Sequence, residues 1–273
     1  MNHRPIALAA LTVLELSPPD MVSCAAEAGY SHVGLRLLPA TPTEPHYDIL
    51  GDTPLLRETL RRLADTGVKA FDVEILRLKP ETCVEDYLPM LETAARLGAS
   101  DVLVAGNDPE PNRTIDNFAR LCELGAPLGL AMNIEPMPWT EVRNVREARA
   151  LVDAVERDNA AVLIDAIHFD RADCRLEDLA GLPRQRLHYL QLCDAPAAKP
   201  RDLDELLLQA RAERLPPGQG GLKLVELVRA LPADLPVSVE IPMTTLARTM
   251  GAVERARMLR EAALRVLQLA GEA

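Results

Sequence analysis

The feature that most restricts the fold is an alternation running the length of the chain: short β-rich apolar runs separated by longer stretches of helical period. The runs fall at residues 6–11, 32–37, 69–75, 101–105, 130–135, 161–165, 187–193 and 237–241. Between them, segments such as 20–28, 54–66, 87–97, 115–124, 145–158 and 222–231 carry apolar residues three and four apart, the spacing that gives a helix one apolar face. A long amphipathic helix over 252–269 closes the pattern. Gly29, Gly67, Gly98 and Gly129 each stand just before one of the runs, where glycine ends a helix by taking the left-handed conformation. Eight such β–α units in 273 residues, with no linker or composition break, predict a single (β/α)8 barrel domain over residues 1–273. An open doubly wound sheet would more often show a Gly-rich first crossover, and no GxGxxG or P-loop sequence is present.

Charge narrows the partners. The chain has 41 acidic against 30 basic side chains, a formal net charge of -11, and no basic cluster longer than Arg61-Arg62. Such a surface repels phosphate backbones, so nucleic acid is not an expected partner. No apolar run approaches the roughly 18 residues needed to cross a bilayer, so no membrane partner is expected either. The apolar start after Arg4 lacks a small-residue cleavage site and is closed early by Glu15, which argues against a signal peptide. Five cysteines without a CxxC pair read as reduced thiols, and the expected location is cytoplasmic.

Side chains on a barrel strand alternate between the interior and the surrounding helices. In the fifth run Leu130, Met132 and Ile134 take the helix-facing side, which sends Asn133 and Glu135 inward. The same sorting points inward Asp165, Glu240, Gln191, Glu74 and Arg36, each at or near the end of its run. Strand ends of that hand form the catalytic mouth of a barrel. The irregular stretches 39–53 and 195–221 lie on the same side, and the second of them, with a helical patch at 203–212, is a candidate lid.

Glu135, Asp165 and Glu240 then converge on one mouth with Gln191 between them. Like charges this close and partly desolvated either rise steeply in pKa or hold a cation. Four oxygen donors without a cysteine make a hard site suited to Mn²⁺ or Mg²⁺, with Co²⁺ or Zn²⁺ as substitutes. The plainer alternative is that some of the carboxylates form ion pairs with Arg36, Arg77 or Arg214.

The motifs Ile134-Glu135-Pro136, Leu163-Ile164-Asp165-Ala166-Ile167-His168, Tyr189-Leu190-Gln191-Leu192-Cys193-Asp194, Pro217-Gly218-Gln219-Gly220 and Ser238-Val239-Glu240-Ile241 together resemble the xylose-isomerase-like TIM-barrel superfamily, the sugar phosphate isomerase/epimerase group. The resemblance spans essentially the whole chain. It implies one divalent metal held by Glu135, Asp165, Gln191 and Glu240, and a substrate-contacting histidine at His168. Ketose 3-epimerases of the group usually carry histidine where this chain has Gln191, whereas hydroxypyruvate isomerases and 3-dehydroshikimate dehydratases carry glutamine. Relatives are often dimers or tetramers, so a homo-oligomer is a further expectation.

The chemistry shared by these branches is proton removal next to a carbonyl through a metal-stabilised enediolate. Glu135 and Glu240 are the expected acid/base pair, with His168 bonding a substrate oxygen or shuttling a proton. The expected substrate is a small sugar, sugar phosphate or hydroxy-keto acid. An anionic group on it would suit Arg36, Arg77 or Arg214, and Glu74 and Asn107 are further candidates for substrate contact. Asn107 and Asn133 are also placed to orient Glu135, Trp139 to wall the pocket, and Cys193 to be inert. Isomerisation or epimerisation is the first reading, a dehydroshikimate dehydratase-like lyase the alternative, and a non-catalytic metal- or sugar-binding barrel the second alternative.

Overall fold

In the computed structural model, which describes residues 4–271, the eight apolar runs become eight parallel strands closed into a barrel. They are β1 (Ile6–Leu8), β2 (His32–Arg36), β3 (Lys69–Leu78), β4 (Asp101–Gly106), β5 (Ala131–Ile134), β6 (Ala160–Asp165), β7 (Leu187–Leu192) and β8 (Val237–Val239). Each strand pairs with its sequence neighbour, and β8 pairs back with β1 through Ala7 and Ser238. The helices that follow are α1 (Pro18–Ala28), α2 (Pro54–Thr66), α3 (Leu88–Leu97), α4 (Pro111–Gly125), α5 (Val145–Val155), α6 (Ala166–Arg171), α7 (Leu176–Leu179), α8 (Leu203–Arg211), α9 (Leu224–Ala230) and α10 (Ala252–Leu269). Among the described residues, no helix is long and apolar enough to cross a membrane.

The glycine stops behave as expected. Gly29, Gly67 and Gly98 end α1, α2 and α3 with φ of 85°, 73° and 81°, and Gly129 ends a short 3-10 turn after α4 with φ of 73°. Starts are set by local chemistry as well. Thr53 accepts a bond from Leu56 N ahead of Pro54 at the first turn of α2, and Asn144 and Asp202 cap α5 and α8 in the same way.

Valines, leucines and isoleucines on the outer faces of the strands join the helices in one continuous core. The barrel interior is a separate, smaller layer of Ala7, Phe71, Leu103, Leu163 and Tyr189. Below it lies a polar layer in which Asp101 accepts from Asn133 Nδ2 at 3.0 Å and from Ser100 Oγ, and His188 Nδ1 stands 2.7 Å from Asp101 Oδ1. Asn133 therefore does not orient Glu135. It sits two residues earlier on β5, one interior layer or about 6.6 Å deeper at the usual rise per strand residue.

Four strands have limits that depart most from the sequence reading. The first run ends as a strand at Leu8, and Ala10–Val13 turns into a 3-10 helix, since apolar character alone does not distinguish the two. The third strand continues to Leu78, with register breaks against β2 between Val33 and Leu35 and against β4 between Val73 and Leu76. Strands β5 and β8 stop one residue short of Glu135 and Glu240, so both carboxylates stand on the first residue of a loop.

Candidate metal centre

The carboxylates that end the strands are gathered by local structure before they meet. Asp165 is the last residue of β6 and at the same time the cap of α6: its Oδ1 accepts from Ile167 N at 2.8 Å and His168 N at 3.3 Å. Capping turns the first helical residues back over the barrel and places His168 beside the strand ends. His168 Nε2 then lies 3.5 Å from Glu135 Oε1 and 3.9 Å from Asp165 Oδ2. Among the described residues one group of three potential metal ligands converges, Glu135, Asp165 and His168, with donor atoms within 4.8 Å of one another, and all three are buried.

Glu240 and Gln191 complete the other side. Gln191 Nε2 donates to Glu240 Oε1 at 2.9 Å, which leaves the amide oxygen of Gln191 buried without a partner. Arg214 bridges the two sides: its guanidinium lies 2.7 Å from Asp165 Oδ2 and 2.9 Å from Glu240 Oε2, and its Nε donates to Ala210 O on α8. Two of the three sequence-predicted carboxylates are thus engaged by an internal cation. Glu135 differs, since no arginine or lysine among the described residues pairs with it and the imidazole of His168 stands 3.5 Å from its Oε1.

Proton affinities follow from this arrangement. Burial, then repulsion by Glu240 and Asp165, pushes the Glu135 carboxyl well above its ordinary range, against the pull of Arg214. Glu240 is pushed up to about 8 by burial, with Glu74 and Asp165 adding to the effect and Arg214 opposing it. Burial acts upward on Asp165 too, but the Arg214 guanidinium and His168 outweigh it and hold this carboxyl below its ordinary value. Burial lowers the His168 imidazole to about 4, so it is neutral at physiological pH. Raised carboxylates around an orphaned amide oxygen are the donor set of a hard cation, and the site fits a divalent ion on that observation.

The remaining predicted residues separate into two kinds. Arg36 is held by Glu74 at 2.8 Å and by Glu44 at 3.1 Å, and Glu44 comes from the long loop after β2. Arg77 donates to Asn107 Oδ1 at 3.2 Å, so Asn107 pairs with the arginine and not with Glu135. All of these except Asn107 line a cavity of about 220 Å³ at the mouth, together with Glu135, Glu240, His168 and Arg214. Trp139 walls the same cavity, its ring edge-on to His168 with centroids 4.9 Å apart. Cys193 is buried behind Asp165, where it accepts from Arg214 at 3.3 Å, and burial raises its thiol far above the ordinary range.

Two residues that sequence reasoning missed matter here. Asp194 accepts from the backbone N–H groups of Ala195, Gly218, Gly220 and Leu222 at 2.9–3.0 Å, and its own main chain pairs with Leu215. This clamp fixes the ends of the 195–221 stretch and with it Arg214. The Asp194 side chain had a sequence signal in the glycine-rich turn that follows, because one carboxylate can satisfy several such N–H groups. Arg211, the last residue of α8, lies on the cavity wall with its guanidinium carbon 5.2 Å from the Trp139 ring centre. Nothing in its local sequence distinguishes it from any other helical arginine.

Comparison with known proteins adds to this geometry. The family model described as xylose isomerase-like TIM barrel matches residues 22–262. The chain is 30% identical over 217 residues to a 3-dehydroshikimate dehydratase of Pseudomonas aeruginosa, covering 72% of this chain and 32% of that protein. It is 25% identical over 154 residues to an inosose isomerase of Bacillus licheniformis, covering 52% of each. It therefore spans about a third and about half of these two curated relatives. The crystal structure of an IolI protein with a bound zinc atom superposes with a TM-score of 0.80 over 97% of this chain and 98% of that one, at 18% identity, a likeness of fold.

Proposed function

Because the chain belongs to the xylose isomerase-like TIM barrel family, we propose that it is a divalent-metal-dependent enzyme that moves a proton at the carbon next to a carbonyl of a small polyhydroxy compound, with isomerisation or epimerisation as the outcome. The observation that carries this reading is the convergence of Glu135 with Asp165 and His168 at the mouth, where Glu135 is a buried carboxylate on the cavity wall that no lysine or arginine among the described residues pairs within ion-pair distance. A base of that kind takes a proton from carbon far better than a solvated glutamate.

Glu135, Asp165, Gln191 and Glu240 would hold the ion, with His168 near enough to join them, and when bound it supplies Lewis-acid polarisation of the substrate carbonyl. Glu135 takes the proton, and Glu240, held in place by Gln191 and Arg214, returns it. His168 stays neutral, so it directs a substrate oxygen by hydrogen bonding rather than by charge. Trp139 and the loop after β2 keep water from the reacting carbon. The five cysteines are free, which suits the cytoplasm as the compartment.

A second reading is loss of water: the same proton abstraction followed by departure of a β-hydroxyl. The dehydratase relative, which matches more of this chain at higher identity than the isomerase, favours it, as does glutamine at position 191. Proton NMR in D₂O tests both. Manganese-loaded protein is incubated with hydroxy-ketones, aldoses, ketoses and 3-dehydroshikimate, beside Glu135→Gln as control. Exchange with new sugar signals supports isomerisation, and new aromatic protons formed from 3-dehydroshikimate support dehydration. Metal binding without exchange on any compound would overturn both and leave a non-catalytic binding barrel.

A further inference from the structure

The rim of the mouth carries two arginines that, among the described residues, no carboxylate approaches within ion-pair distance, although Glu135 and Glu44 act on both from further away. Of the four arginines on the cavity wall, Arg36 is bound by Glu74 and Glu44, and Arg214 by Asp165 and Glu240. Arg77 donates to the neutral amide of Asn107, and Arg211 rests on the face of Trp139. Neither forms an ion pair with a carboxylate among the described residues. They are also close enough to act on each other: burial and then repulsion from Arg211 draw the Arg77 guanidinium below its ordinary value, against the weaker pull of Glu135 and Glu44. Two like charges turned toward one small cavity are unfavourable until an anion enters between them.

The same cavity wall carries a buried donor without a partner among the described residues. Trp139 Nε1 is buried and has no acceptor, while its ring holds Arg211 in place from α8. Arg77 reaches the mouth only because β3 breaks register between Val73 and Leu76, and Asn107, just past the end of β4, fixes its guanidinium. The charge balance selects the kind of anion. Once a divalent ion has displaced the protons of Glu135 and Glu240, five carboxylates, Glu44, Glu74, Glu135, Asp165 and Glu240, stand against the four arginines around the cavity and its floor, and the ion then leaves a single positive charge. A monoanion cancels that charge and a phosphate dianion overshoots it.

We propose that Arg77 and Arg211 form a carboxylate seat at the outer end of the substrate site, and that the substrate class is a monoanionic hydroxy-keto acid rather than a neutral sugar or a sugar phosphate. The proposal rests on the function proposed above for the identity of the site, but it concerns binding and can be read without turnover.

The test uses three compounds on one carbon skeleton: L-sorbose, 5-keto-D-gluconate, which replaces the terminal carbinol of sorbose by a carboxylate, and L-sorbose 6-phosphate. Binding to the manganese-loaded protein is measured by calorimetry for the parent chain and for Arg211→Gln and Arg77→Gln. The keto acid is expected to bind about tenfold or more tighter than sorbose, as charge-assisted bonds to guanidinium require. Its advantage over sorbose should fall about tenfold in Arg211→Gln, whose rim position leaves the fold untouched, with sorbose affinity unchanged. Equal affinity for sorbose and keto acid, no detectable binding of either, or an equal loss for both in Arg211→Gln overturns the seat. Preference for the phosphate overturns the monoanion. A carboxylate preference without proton exchange in D₂O would keep the seat and discard the catalytic reading, so the two failures are distinguishable.

Discussion

Arg214 Nη1 stands 2.7 Å from Asp165 Oδ2, in an ion pair whose side chains are at most 2% exposed, and the same guanidinium reaches Glu240. One cation thus neutralises two of the strand-end carboxylates, while the third, Glu135, is left to a neutral imidazole. Removing one partner of a buried pair leaves the other charge without water or counter-ion. Arg214→Met should therefore cost the chelator-treated protein about 3–5 kcal/mol in urea unfolding, and a divalent ion should restore part of the loss. A variant as stable as its parent in chelator would refute this role.

The raised carboxyls of Glu135 and Glu240 fix the direction of a pH effect. Both bind a proton more tightly folded than unfolded, so between the ordinary glutamate range and about pH 8 these two groups hold more protons in the folded chain than in the unfolded one. Their contribution is present at low pH and is lost as pH rises through that window. Metal-free protein should accordingly melt at a falling temperature from mildly acidic to mildly alkaline pH, with a flatter profile in Glu240→Gln. Added Mn²⁺ should raise the melting temperature most at the alkaline end, where the ligands give up their protons most readily. A metal-free melting temperature that climbs across the window would contradict the assignment.

The Asp194 clamp makes one glycine indispensable. A Cβ on Gly220 would lie 2.3 Å from both Asp194 Oδ1 and the carbonyl oxygen of Ala195, and the second of these is backbone that cannot swing aside. Gly220→Ala is expected to destabilise the protein by about 1–3 kcal/mol and to weaken metal binding, because the displaced turn carries Arg214 with it. Thermal denaturation with a parallel metal titration checks both; an unchanged metal affinity would separate the clamp from the site.

Thiol chemistry provides an independent check on the packing. Burial raises Cys24 to about 11 and Cys122 to about 12, and it raises Cys193 further, whereas Cys83 is exposed. Reaction with a disulfide reagent at about pH 8 should release one fast equivalent from Cys83, abolished by Cys83→Ser, and a slower one from the half-buried Cys174, whose thiol burial also raises, with the three buried thiols reacting only on denaturation. Fast labelling of Cys193 in the folded protein would mean that the loop over Asp165 opens.

Loss of Glu135 should affect function without affecting the fold. Its near partner is the neutral His168 imidazole at 3.5 Å, no arginine pairs with it within ion-pair distance among the described residues, and the residue faces the cavity, so Glu135→Gln is expected to melt within about 1 kcal/mol of the parent in chelator or somewhat higher. Proton exchange on any compound the parent accepts should drop by about a hundredfold or more. Full exchange in the variant would move the base elsewhere.

The strand and helix periods were legible in the sequence because they are local. The limits of α2 and α10 fall where the apolar spacing puts them, and the glycine stops take the left-handed geometry that their positions require. Parity along each strand likewise placed Glu135, Asp165, Gln191 and Glu240 on the interior side, since a two-residue period has a single phase wherever the register is unbroken.

Where register breaks or partners come from distant strands, that logic stops. Alternation counted from Asp72 and Glu74 sends Arg77 outward, and only the irregular pairing of β3 turns it into the mouth. The sequence determined that acidic side chains end several barrel strands. The tertiary structure decided which of them are neutralised, by bringing Arg214 to Asp165 across 49 residues and leaving Arg77 and Arg211 without an ion pair among the described residues. Charge compensation in a barrel mouth depends on distances between strand ends, and those are set by closure of the whole sheet rather than by any one segment.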